Sequence, residues 1–160
     1  MRLPVLALFA ALIATTAFAQ DYPSKPVTLV VPFPAGGPSD ALARGVAQRM
    51  AKSLGQPLVV ENIGGAGGAI GLARVAKAAP DGYTLGFGTI GTHVANVALY
   101  RSLPYDPQKD FEPVALLGTA PLILIAKPSL PAGDLKGFIA YVKQNPGKLS
   151  YGSAGVGSIS

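Results

Sequence analysis

The feature that most restricts this chain is a three-part unit near its start. A β-rich apolar run, Val-Thr-Leu-Val-Val-Pro-Phe over 27–33, carries no charge. That is the pattern of a strand buried on both faces of a parallel sheet. Pro34-Ala35-Gly36-Gly37-Pro38 follows as a tight loop. A helix is predicted from Ser39 or Asp40 to Leu54, with Leu42, Val46, Met50 and Leu54 as its apolar stripe. Gly55 and then Pro57 end it, in the usual order of stop signals. A strand covered on both faces needs helices between it and its neighbours, so this unit points to an α/β architecture.

The rest of the chain repeats the alternation. Further strands are predicted over 58–61, 83–87, 112–117, 122–126 and 149–151. Helices are predicted over 70–79 and 92–100. A third, capped by Asp134, contains Leu135, Phe138, Ile139 and Val142 and stops at Asn145-Pro146-Gly147. The order β-α-β-α-β-α-β-β-α-β implies a mostly parallel sheet. Ser160 falls on a glycine-rich loop where another helix should begin, as in a chain cut within a unit.

Residues 1–19 read as a signal peptide. Arg2 precedes an uncharged stretch to Thr16, and Ala17-Phe18-Ala19 is a small-x-small cleavage signal, so cleavage is expected after Ala19. The stretch is short and Ala-rich for a transmembrane helix, which needs about 20 residues. The mature product is expected outside the cytoplasm, which in a bacterium means the periplasm.

Several chemistries are excluded. Cys is absent, which removes disulfides, thiolate metal sites and a thiol nucleophile. His93 is the only histidine, and one His without Cys makes none of the familiar zinc sites. Gly-x-Ser-x-Gly is missing. Gly86-Phe87-Gly88-Thr89-Ile90-Gly91 has dinucleotide-loop spacing but sits on the third strand, with no clear ribose-binding acid beyond it. Gly64-Gly65-Ala66-Gly67-Gly68 lacks the Gly-Lys-Ser/Thr of a phosphate loop. The net charge of +5 is spread along helices with no basic stripe or interleaved aromatics, so nucleic acid is not an expected partner. Charged residues make up 13%, about half the ~25% of an ordinary globular domain, which hints at surface covered by something else.

What remains is a set of strand–glycine–helix loops: 33–40, 88–93 and 151–158. In a parallel sheet such loops fall at the carboxyl edge, where ligands bind. Glycine permits close backbone approach, and a helix start offers unpaired N–H groups and partial positive charge, which suits a carboxylate. Asp40 either accepts from a ligand amino or hydroxyl group or serves its own helix start. Ordinary turn geometry is the competing account of the glycines.

The runs Tyr22-Pro23-Ser24-Lys25-Pro26-Val27, Val31-Pro32-Phe33-Pro34-Ala35-Gly36-Gly37-Pro38-Ser39-Asp40 and Leu54-Gly55-Gln56-Pro57-Leu58-Val59-Val60-Glu61-Asn62 resemble the Bug family. So do Ala79-Pro80-Asp81-Gly82-Tyr83-Thr84-Leu85, Leu103-Pro104-Tyr105-Asp106-Pro107 and Tyr151-Gly152-Ser153-Ala154-Gly155. These are the substrate-binding receptors of tripartite tricarboxylate transporters. The resemblance implies a periplasmic-binding-protein-like fold of two lobes with mostly parallel sheets, truncated here in the second lobe. It implies a first lobe over 20–120 and a second beginning at 121–160. It implies hinge closure on a small carboxylate and delivery to membrane permease subunits, by a monomer with no cofactor, metal or catalytic residue. Carried onto this chain, Ala35, Gly36 and Gly37 serve the first loop, and Ser153, Ala154 and Gly155 begin the second. Thr89, Gly91 and His93 line the same cleft. The alternatives are a secreted α/β enzyme using Asp40 or His93, or a fragment without function of its own.

Overall fold

The computed structural model describes residues 21–119, 121 and 123–152. The signal-peptide segment 1–19 and the loop residues Ser153, Ala154 and Gly155 lie outside the described residues.

Three strands form one parallel sheet in the order β2-β1-β3: β1 Val27–Val31, β2 Leu58–Asn62 and β3 Thr84–Gly86. Val27 pairs with Leu58 and Val31 with Asn62, while Thr28 pairs with Thr84 on the other side. The central strand is buried on both faces, as its uncharged run predicts: Val30 and Val31 have no exposure. Leu29 and Val31 pack with Ala43 and Phe87 in one cluster, joined by Leu58, Val60 and Leu85. On the opposite face Ala69, Leu72 and Tyr105 form a second cluster with Leu103 and Phe111.

Helix α1 spans Pro38–Leu54. Pro38 sits at the first helical position, where its missing N–H costs nothing. Gly55 ends the helix in the left-handed region and donates to Ala51 O. The buried face of α1 differs from the predicted stripe. Asp40, Ala43 and Ala47 are its buried residues, whereas Leu42 is exposed. Small side chains at i, i+3 and i+7 let the helix settle closely on β1 and β2; the larger residues lie toward its flanks.

Helix α2, Ala69–Ala76, follows a 3₁₀ turn over Ala66–Gly68. A π-helical turn, Gly91–Ala95, runs into the short helix α3, Asn96–Leu99. Helix α4, Leu135–Gln144, begins with the predicted cap: Asp134 accepts from Gly137 N–H at 2.7 Å.

The predicted strands over 112–117, 122–126 and 149–151 do not form among the described residues, which run there as irregular chain. Val114, Leu116, Ile123 and Ile125 are exposed. A β-rich sequence becomes a strand only when a neighbour completes its ladder, and no described residue does so. No described helix is long and apolar enough to cross a membrane.

Candidate ligand-binding site

The strand order fixes where a ligand can sit. From β1 the chain passes to β2 on one side; from β2 it crosses back to β3 on the other. Where connections part in this way, at the carboxyl ends of β1 and β3, an open α/β sheet has its binding crevice. Two of the three sequence-predicted loops leave this edge: 32–37 after β1, and 87–90 after β3 with the turn it leads into.

In the first loop Ala35 and Gly36 are exposed and Gly37 is half-buried. Gly36 has φ +81°, a conformation glycine adopts without strain. Its N–H is already used, donating to Asp40 Oδ2 at 2.8 Å. Among the described residues no acceptor meets the backbone N–H of Ala35, Ser39 or Asp40. These donors stand at the positive end of a 17-residue helix whose cap, Gly37, offers no side-chain acceptor. The arrangement suits a small anion.

Asp40 faces inward and is 4% exposed. Oδ2 also accepts from Arg44 Nε at 3.0 Å, and Oδ1 accepts from Asn62 Nδ2 at 2.9 Å. Its pKa is lowered to about 2, first by the Arg44 hydrogen bond, then by Gly36 and Asn62. Asn62 was not singled out from the sequence. Asp40 and Arg44 could have been paired by their i,i+4 spacing, but Asn62 joins them only because β2 pairs in register with β1.

The second loop is knit by hydroxyls. Thr89 N–H donates to the buried Thr92 Oγ1 at 2.9 Å, and Thr92 Oγ1 lies 2.9 Å from His93 Nδ1. The His93 ring packs against Phe111, centroids 5.2 Å apart, and Phe111 meets Tyr105 edge-on. Tyr105 O–H donates back to Thr92 O. Burial holds the His93 pKa below its ordinary value, partly offset by its hydrogen bond to Thr89. Burial therefore disfavours the charged form of the ring. Gly88 makes this fold-back possible: a Cβ there would lie 2.7 Å from His93 Cε1. Gly91 is buried within the turn.

The glycine-rich loop after β2 reaches the same edge. Ile63 N–H donates to Val31 O at 2.9 Å, and Asn96 Nδ2 donates to Gly67 O at 3.0 Å. No group of three or more metal-ligating side chains occurs among the described residues.

Residues 42–160 match the family model described as the tripartite tricarboxylate transporter family receptor. The chain belongs to this family. A UPF0065 protein from the TAR-I ttuE-ttuC' intergenic region of Agrobacterium vitis is 46% identical over 160 residues, covering 99% of this chain and 46% of that protein. Among solved structures, MatC from Rhodopseudomonas palustris with bound malate is 50% identical with a TM-score of 0.82, covering 87% of this chain and 47% of MatC. The periplasmic binding protein BugD is 41% identical with a TM-score of 0.75, covering 87% of this chain and 46% of its own. The expected Bug-family membership and periplasmic-binding-protein-like α/β fold hold. The chain spans about half the length of the curated relatives it matches.

Proposed function

We propose that this protein is a periplasmic receptor that captures a small organic acid between two lobes and hands it to the permease of a tripartite tricarboxylate-type transporter. The observation that carries this reading is the first loop: a row of unengaged backbone N–H groups at a helix start, on the carboxyl edge of a parallel sheet, in a chain half identical to a malate-bound receptor. Ala35, Gly36 and Gly37 form the first-lobe wall, with Thr89, Gly91 and His93 beside it. Ser153, Ala154 and Gly155 begin the wall of the second lobe. The first lobe spans 20–120, and the second starts at 121. The leader is removed after Ala19, and the receptor acts as a monomer.

The receptor is not an enzyme. Asp40, the acid that a secreted enzyme would use, already holds three donors in its own lobe. The test is calorimetric titration of the exported native protein with malate, followed by recovery of the acid. Saturable binding with malate returned unchanged is expected. Conversion of malate, or no heat with malate, succinate or adipate, overturns the reading.

A further inference from the structure

We infer that Asn62, acting with Asp40 and Arg44, is a positioning residue that presets the first ligand loop; the inference rests on the receptor reading above. Asn62 is the last residue of β2, paired with Val31 at the end of β1. Its Nδ2 hydrogens go to two acceptors: Phe33 O at 3.1 Å, where the loop begins, and Asp40 Oδ1 at 2.9 Å, in the first turn of α1. Its Oδ1 accepts from Arg44 Nη2 at 3.0 Å. Two acceptors on one side and a cation on the other fix the amide orientation, and all three side chains close into a ring with the Arg44–Asp40 bond.

The ring holds the loop at two points. Phe33 O anchors its entry, and Gly36 N–H, bonded to Asp40 Oδ2, anchors its middle. The intervening Pro34 and Ala35 are exposed. With Gly36 N–H turned inward, the neighbouring N–H groups of Ala35, Ser39 and Asp40 are left to the ligand. The network therefore selects which donors face the acid and removes the entropy of ordering the loop from the binding step. Arg44 also balances the Asp40 charge, which would otherwise repel an anion at the helix start.

The experiment uses the exported native protein and its Asn62→Ala variant, with three readouts: amide exchange at Gly36 by NMR, malate affinity by calorimetry, and the melting temperature. Exchange at Gly36 is expected to speed up about tenfold or more, with malate affinity falling by a similar factor among folded molecules. Arg44→Ala, at a half-exposed side chain, gives the same signs with smaller changes and serves if Asn62→Ala does not fold. Asn62→Gln, which keeps the amide one methylene further out, should restore part of the affinity. A lowered melting temperature with Gly36 exchange and malate affinity unchanged overturns the inference. Should the parent bind no malate, the receptor reading fails on that probe, and Gly36 exchange alone decides the positioning role.

Discussion

Val27–Val31 and the stretch 121–126 have nearly the same texture: uncharged, rich in Val, Ile and Leu, bounded by proline. The first is the central strand, buried on both faces. In the second, Ile123 and Ile125 are about four-fifths exposed, and no strand forms among its described residues. The difference lies in their partners. β1 has a parallel neighbour on each side and a helix on each face; 121–126 has neither among the described residues. Hydrophobic β-rich sequence is a request for neighbours, and only the first stretch has its request met within the described chain.

The largest effect that could break this comparison is in the cores. Leu72→Ala should cost about 2–5 kcal/mol in denaturant unfolding, because Leu72 is 1% exposed. Leu116→Ala in the same 160-residue chain should stay within about 0.5 kcal/mol. If Leu116→Ala costs more than about 1 kcal/mol, the exposed segment has a partner after all. A second substitution probes the packed edge itself. Gly88→Ala should cost about 1–3 kcal/mol by driving the His93 ring off the loop. A melt equal to the parent's would show that the ring moves freely.

Acid should act on the packed region alone. Asp40 titrates at about 2 instead of 3.8, so its contribution to stability is complete above about pH 4 and is lost as pH falls toward 2. His93 titrates below 6.5, so the unfolded chain takes up its proton first and stability declines as pH drops below that value. Asp40→Asn should flatten the first slope and His93→Gln the second in pH-dependent denaturation; an unchanged slope removes that group from the account. The smallest effect is expected at Arg74, whose half-exposed ion pair with Glu61 is 2.6 Å long. Arg74→Ala should cost less than about 1 kcal/mol, and the loss should shrink in high salt.

Much of the fold was legible because local chemistry sets it. The apolar run of β1, Pro38 and Gly55 at the ends of α1, and Asp134 at the start of α4 each carry their own signal. The loops after β1 and β3 were legible for the same reason, since glycine after a strand and before a helix marks the sheet's carboxyl edge. The buried face of α1 was not. Leu42 obeys the helical period, but the close approach of α1 to β1 favours Ala43 and Ala47, and that distance is a property of the packed pair. Nor could the sequence separate two roles for Asp40. Its neighbours in the chain explain the bonds to Gly36 and Arg44, whereas Asn62 is brought to it by the β1–β2 register.

The sequence by itself determined the alternation of β1, α1, β2, α2 and β3, the helix ends and the positions of the small-residue loops after β1 and β3. These depend on a few adjacent residues and on side chains whose preferences are intrinsic. The tertiary structure decided which apolar segments became strands, which helix face is buried, and that Asp40 turns toward Asn62 and Arg44. Each of these depends on a partner distant in the chain, and a buried polar or unpaired backbone group is stable only where such a partner arrives.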